Sequence, residues 1–505
     1  MAINLFGSGG DGGRGGRDWL YRKSRMATRA DNNLGIVRMT AGSTKTPLFR
    51  NPALEILDAY YERRQYAHLV PWHETQTCDK EYIPVRKRRP LINYAFAKVL
   101  SQRLTSKLLG NQTYPILKVE EDPDTQEYLR FITKAGKLKA RLLEPTRRAL
   151  CAGSVLVRFY VEEGSFVVEH YLSKYAYPIL RANGEMASCM IKYAYQDASQ
   201  MDPNGKPKWF WFRMDLGEFQ DVKYQPAEFN PDEDPQEPEW KIESVVEHNM
   251  GFVQAEWMRT AEMKDSPDGY SLIEDILDFI DELNYSLSQS SQAVSYNQDP
   301  QLALKGMTED DVGNLIRSSQ KAWLLGKDGE ASFLEAGMSG VEAALNLRDK
   351  MRVGLMDVAR IVLLDPEKIV GSAQSAKAME VMHGPMVELI QELRPMIGGS
   401  VKNLTLKMAV ANLILASRGE PTPVEIPPGY SPKSLNIEEN WPPIFPMTME
   451  DLQKKVAVGS QAAGGNLISR ESITRWIASD FGIEDPEMEI EKIAAQPVLN
   501  PFGAF

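Results

Sequence analysis

Between residues 272 and 287 the sequence carries a narrow apolar seam. Leu272, Ile276, Ile280, Leu283 and Leu287 recur at steps of 4, 4, 3 and 4, the spacing of one face of an α-helix. Glu274, Asp275, Asp278, Asp281 and Glu282 lie off that seam. The pattern predicts a helix to about Asn297, on the order of 40 Å long at 1.5 Å per residue, and Asp299-Pro300 stops it. A second long helix is predicted from about Val341 to Val362, with Val341, Leu345, Leu355, Val358 and Val362 apolar. Between them Gln301 to Lys305 reads as a strand and Thr308 as an N-cap, with Asp311 at the capping-box position. Trp323-Leu324-Leu325 and Ser332-Phe333-Leu334 flank a hairpin-type turn, Lys327-Asp328-Gly329-Glu330. Two long helices thus bracket a small α/β unit.

The chain before this frame changes texture twice. Residues 1–49 are glycine-rich and then basic, which raises the entropy cost of ordering and reads as an arm. Gly7, Gly9 and Gly12 satisfy G-x-G-x-x-G, but no strand-length run precedes them, so a phosphate cradle is not expected there. Helices are predicted from Pro52, over 91–109 and over 124–150. The basic run Arg86-Lys87-Arg88-Arg89 reads as a solvated or inter-subunit patch, with a phosphate-backbone contact as the functional alternative. From Ser154 the pattern turns to strands: 154–160, 166–170, 176–180, 187–195 and 209–214, with Asn183-Gly184 as a hairpin turn. Pro226 to Glu239 is acidic and proline-rich and is expected to be an exposed loop. After the second long helix comes a loop to about Ser375. A helical stretch then runs to about Arg418, with kinks expected at Pro385 and Pro395. Residues 448–492 read as two or three short helices.

Composition narrows the function class. Of 505 residues, 43% are hydrophobic and 25% charged, values of an ordinary globular chain long enough for several cores. Cys78, Cys151 and Cys189 are odd in number and far apart, which fits reduced thiols rather than a disulfide framework. The longest apolar stretch, Met408 to Ala416, is short and broken by Asn412, so neither a membrane span nor a membrane partner is expected. A net charge of −11 argues against a surface that grips nucleic acid everywhere. The sequence lacks G-x-x-x-x-G-K-[ST], H-E-x-x-H, C-x-x-C and G-x-S-x-G, so no catalytic residue, metal or cofactor is predicted. His68 and His73 do not share a helical face. Asp275, Asp278 and Glu282 do, at i, i+3 and i+7. A two-metal nuclease site there is the enzymatic alternative.

The order of these blocks, with several motifs, resembles the portal proteins of tailed bacteriophages. Cys151-Ala152-Gly153-Ser154-Val155-Leu156-Val157 is similar to the family's strand-opening motif. His248-Asn249-Met250-Gly251-Phe252-Val253 resembles the segment that closes the wing, with Gln254 where the family usually has proline. The stretch from Gly269 to Asn284 is similar to the stem-helix signature, and Asp299-Pro300-Gln301-Leu302 to the start of the clip. Ser372 to Met379 resembles the beginning of the helix after the tunnel loop. Trp441-Pro442-Pro443, Gly464 to Glu471 and Asp485 to Glu491 resemble the tail pattern. The likeness runs over roughly 50–495.

The resemblance implies an α+β, multidomain portal fold. Its parts would be an arm at 1–49, a wing at 50–262, a first stem helix at 263–297 and a clip at 298–339. A second stem helix at 340–362, a tunnel loop at 363–375, a kinked helix at 376–420 and a helical crown at 421–505 would follow. It further implies a non-enzymatic homo-dodecameric ring at one capsid vertex of the virion, assembled in the host cytoplasm. That ring would conduct double-stranded DNA in packaging and ejection. It would dock the terminase large subunit and then a head-completion or adaptor protein, beside the major capsid and scaffolding proteins. Lys368, Ser372 and Gln374 are the expected DNA contacts of the tunnel loop. Asp275, Asp278 and Glu282 are the expected acidic channel face, and Trp323, Lys327 and Asp328 the expected clip surface. A ring of the same kind in a gene-transfer particle is the other structural reading.

Overall fold

The computed structural model describes residues 50–495 except 120–121, 202–204, 206, 231–237, 264–265, 299–300, 306–329, 335–337, 362–379, 427–436, 446–448, 466, 479–480, 482 and 484–485. In chain order the elements begin with α1 (Arg50–Tyr61), α2 (Phe96–Leu108), β1 (Ile116–Val119), α3 (Pro123–Ala135), α4 (Leu138–Arg141) and α5 (Leu143–Ala152). A run of strands follows: β2 (Ser154–Glu162), β3 (Ser165–Leu172), β4 (Ala176–Leu180), β5 (Met186–Met201) and β6 (Pro207–Leu216). It continues with β7 (Gln220–Tyr224), β8 (Ala227–Phe229), β9 (Ile242–Glu247) and β10 (Ala255–Arg259). Then come α6 (Leu277–Gln298), β11 (Gln301–Lys305), β12 (Glu330–Leu334), α7 (Met338–Val358) and α8 (Gly384–Ser417). The chain closes with β13 (Ile437–Asn440), α9 (Met449–Gly464), α10 (Arg470–Ala478) and α11 (Pro486–Ala495). The protein is thus a mixed α+β, multidomain structure.

These elements form two compact units. One contains Glu55–Ala97 and Ile273–Ala359; the other contains Lys98–Leu272 and the chain from Arg360 on, with residues 50–54. In the second unit β10-β2-β3 make one antiparallel sheet, and β4-β5-β6-β7-β9, with β8 on β6, make another. Leu156, Val253, Ala255 and Trp257 meet Ala176, Met186, Cys189, Ile191, Met214 and Leu216 in a shared core. β2 is the middle strand, and Val155, Leu156, Val157 and Phe159 are all fully buried, as a continuous apolar run demands. Gln254 does not disturb this sheet. Its carbonyl accepts the Phe159 amide at 2.9 Å, and β10 pairs with β2 from Ala255 to Arg259.

α8 spans 34 residues. Pro385 sits in its first turn and Pro395 within it, so Pro385 starts the helix rather than kinking it. Asn412 is fully buried. Its amide donates to Tyr128 Oη and the Val424 carbonyl, both at 2.9 Å, and its oxygen accepts the Val424 amide at 3.1 Å.

Two more expectations change. The helix predicted over 124–150 is three pieces, because Gly136 ends α3 and Lys137 takes a left-handed conformation, φ 50°. The acidic stretch from Pro226 is not loop throughout. Ala227–Phe229 pairs with β6, and Phe229 stacks on Trp211 with centroids 4.7 Å apart. The few apolar residues there thus suffice to add a strand. β11 and β12 pair antiparallel, Gln301 opposite Leu334. The turn at 327–330 and the 323–325 triplet fall mostly outside the described residues.

Candidate functional site

Two motif glycines, Gly153 and Gly269, meet back to back. Gly153 ends α5 with φ +89°, and a Cβ there would collide with the Gly269 carbonyl oxygen. A Cβ on Gly269 would approach Thr260 Oγ1 to 2.6 Å and the Ala261 nitrogen to 2.8 Å. Only hydrogen fits on either side. The Gly153 carbonyl accepts from the Gly269 and Thr260 amides, both at 3.1 Å, and from Thr260 Oγ1 at 3.2 Å. Ser271 Oγ donates to the Cys151 carbonyl at 2.5 Å and the Leu272 amide to the Leu150 carbonyl at 3.0 Å.

A buried ion pair lies beside this junction. Arg50 Nε and Nη2 donate to both Asp268 oxygens at 2.6 and 2.8 Å, and Nη1 to the Ala176 carbonyl at 3.1 Å. Ser154 Oγ donates to the same carboxylate at 2.6 Å. Burial works to lower the Arg50 pKa, and the Asp268 charge and hydrogen bonds outweigh it, so the guanidinium stays charged. The segment just ahead of the long helix is therefore fastened to β2 and β4 through fully satisfied polar groups.

In the other unit the 62–95 segment lies along α6 as a strap. Tyr66 Oη donates to Asp281 at 2.5 Å and accepts Asn284 Nδ2 at 3.1 Å. Asn284 Oδ1 accepts the Tyr94 amide and Ser288 Oγ the Ile92 amide, both at 2.9 Å. Tyr285 Oη donates to the Arg88 carbonyl at 2.9 Å and the Arg86 carbonyl at 3.2 Å, and Trp72 Nε1 to Gln292 at 3.0 Å. Tyr66, Trp72 and Tyr285 form a small buried core. α7 covers another side of α6, where the Phe279 ring faces Gly354.

The basic run 86–89 is mixed: Lys87 and Arg89 are exposed, as a surface patch requires, whereas Arg86 is half-buried and Arg88 buried. Arg88 is 4% exposed. It donates to the Ile83 carbonyl at 3.0 Å and to Tyr82 Oη at 2.9 Å, and lies over the Trp72 and Tyr82 rings. Arg89 donates to the Tyr66 and Ala67 carbonyls, and Arg86 pairs with Glu282 above the Tyr285 ring. Arg86, Arg88 and Arg89 thus direct their guanidinium groups onto carbonyls, rings and one carboxylate, while Lys87 stays on the surface.

Asp275 falls in the short turn Glu274–Ile276 ahead of α6, and only Asp278 and Glu282 lie on the helix itself. Asp275 and Asp278 are exposed, whereas Glu282 is half-buried and paired with Arg86. Among the described residues no group of three His, Cys, Asp or Glu side chains is gathered to hold a metal ion. Nor is any described helix long and apolar enough to cross a membrane. Lys368, Ser372 and Gln374 lie outside the described residues, as do Trp323, Lys327 and Asp328. The strap was not legible in the sequence, because many of its contacts use backbone groups that carry no residue signature and the rest join residues about 200 positions apart.

Comparison with known proteins gives one match to a family model, described as "Phage portal protein, SPP1 Gp6-like", over residues 50–497. Two solved structures are similar in part. The first is described as "Virion of native gene transfer agent (GTA) particle", with 11% identity over 76% of this chain and 89% of that one, TM-score 0.37. The second is described as "Neck of empty GTA particle computed with C6 symmetry", with 10% identity over 77% and 95%, TM-score 0.38. No curated protein matches the chain.

Proposed function

The chain belongs to the phage portal protein family, and on that premise we propose that twelve copies form a ring at one capsid vertex that conducts double-stranded DNA. The family match across residues 50–497 carries this reading. The ring acts as a passive channel in packaging and ejection. It docks the terminase large subunit during packaging and a head-completion or adaptor protein afterwards. The major capsid and scaffolding proteins surround it in the virion, after assembly in the host cytoplasm. The motor that hydrolyses ATP is a separate protein, in keeping with a sequence without a nucleotide-binding loop.

A conducting channel must not hold its cargo. Each phosphate that a cation neutralises releases counterions and adds affinity, so a basic bore would retain DNA. Twelve copies at −11 each give a strongly acidic assembly. Asp275, just ahead of the long helix, with Asp278 and Glu282 on it, form the acidic face that supplies repulsion. Lys368, Ser372 and Gln374 make transient backbone contacts at the constriction, and Trp323, Lys327 and Asp328 form the clip surface between neighbours and docking partners.

The test is the native mass of the purified protein, with negative-stain imaging. The expected result is a ring near ~680 kDa, twelve times 56.8 kDa, with a central hole wide enough for duplex DNA. A monomer that stays monomeric with shell and scaffolding proteins present would overturn the reading. So would metal-dependent DNA cleavage that Asp278→Ala abolishes.

A further inference from the structure

The corner between α3 and α4, in the second unit, gathers cations without a counter-charge. From Phe131 to Leu143 the chain has Lys134, Lys137, Lys139 and Arg141 and no carboxylate. Arg141 donates to the Val168 carbonyl at 3.0 Å. The three lysines are exposed, and none of them forms an ion pair among the described residues. Lys139 Nζ lies 5.6 Å from the Tyr114 ring centroid, a contact that leaves its charge unneutralised.

The backbone holds these lysines close together. The Lys137 amide donates to the Lys134 carbonyl at 3.1 Å, and the Ala140 amide to the Lys137 carbonyl at 3.1 Å. Leu138, between Lys137 and Lys139, is fully buried, and a Cβ on Gly136 would meet Met408 Cε at 2.6 Å. The corner is thus pinned to the core at 136 and 138 while its lysines stay in solvent. Lys137 has φ 50°, a left-handed conformation that disfavours any residue with a Cβ and that helix ends usually give to glycine or asparagine. Like charges one turn apart also repel. An extended anion lying across the three lysines removes that repulsion.

We propose that this corner holds the phosphate backbone of double-stranded DNA. The choice of DNA rests on the reading above, that duplex DNA is what this protein handles. The contact is one of retention, unlike conduction past the acidic face, which belongs to the other unit. An ammonium on a long stem is a point charge that takes a phosphate without directional matching. Successive phosphates are met by successive cations, each releasing counterions. A carboxylate partner would favour an arginine fork, and the arginine of this corner is turned onto a carbonyl.

The test is fluorescence anisotropy of a labelled duplex, short enough to meet one corner, titrated with the full chain across a range of salt. Lys134→Gln, Lys137→Gln and Lys139→Gln combined should lower the slope of log K against log salt by about 2.7, at ~0.9 for each of three phosphate contacts. Arginine at all three positions keeps the charge and should keep the slope. Lys208→Gln with Lys223→Gln should also keep it, because those lysines are paired with Glu228 and Glu243. Lys137→Gly removes one cation and suits the left-handed backbone, so it should lower the slope by ~0.9 in a protein no less stable. No duplex binding by the parent protein, or a slope that the glutamine variant leaves unchanged, would overturn the proposal. So would unchanged duplex binding with lost binding to a polyglutamate peptide, which assigns the corner to an acidic protein. Native mass reads the ring separately: monomers with a lysine-dependent slope would overturn the ring and leave the corner standing, and rings without one would overturn the corner alone.

Discussion

Replacing Gly153 by alanine tests the back-to-back junction, and its cost can be worked out in parts. The left-handed backbone at φ +89° charges any residue with a Cβ roughly 1–2 kcal/mol. The collision with the Gly269 carbonyl is backbone against backbone, so no flexible side chain can give way. Forced overpacking of this kind costs roughly 1–3 kcal/mol. Displacing the Gly153 carbonyl from its three donors adds roughly 1 kcal/mol for each bond lost. With one of those bonds lost the expected sum is roughly 3–6 kcal/mol. Gly251 is the control, because it has φ +78° and nothing within 4 Å of a built Cβ. Gly251→Ala should therefore lose only the conformational part, roughly 1–2 kcal/mol. Urea unfolding followed by tryptophan fluorescence measures both. Trp257, which donates to the Pro267 carbonyl at 2.8 Å, reports on this region. If the two alanine variants lose the same stability within about 0.5 kcal/mol, the close approach contributes nothing and the reasoning is wrong.

Two further outcomes are expected. Arg88→Met keeps the bulk of the side chain but leaves the Ile83 carbonyl and Tyr82 hydroxyl without their donor, and should cost roughly 1–3 kcal/mol; faster hydrogen exchange over 277–298 would report a loosened strap, and unchanged exchange would refute its grip on the helix. Burial works to raise the Asp221 pKa, but His248 and Arg158 outweigh it and hold it below the ordinary value; this stabilisation is present above pH ~4 and is lost as pH falls through the depressed folded value, so Asp221→Asn should flatten the acid limb of the stability curve, and an unaltered limb would refute the assignment.

The parts legible in the sequence were those with a local cause. The period of the 272–287 seam (from Leu277 on, with a tighter turn at Glu274–Ile276 ahead of it), the apolar run at 154–160 and the Asn183-Gly184 turn each produce their element from neighbouring residues alone. β5 and β6 run longer than the pattern suggested, since alternation fades where both sheet faces are only half covered. Misreadings arose where tertiary partners decide. Arg88 reads as surface until Trp72 and Tyr82 are brought over it. Phe229 reads as loop until Trp211 offers a ring. Gly153 and Gly269 were visible as two separate motifs, but nothing in either segment says that they touch. The acidic trio was visible as a helical face, whereas the loss of Glu282 to Arg86 depends on a segment almost 200 positions away.

The strap divides inheritance unevenly between its two sides. The helix addresses it largely with side chains: Asn284, Tyr285 and Ser288 reach the main chain of Tyr94, Arg86, Arg88 and Ile92. A main-chain amide or carbonyl is the same whatever residue bears it. Positions such as 92 and 94 can therefore drift through many residue types while their hydrogen bonds persist, whereas a single change at 284 or 285 removes a partner that no compensating change in the strap restores. Variation among related chains should be tolerated at 92 and 94 and purged from the facing turn of the helix, even though the two lie in contact.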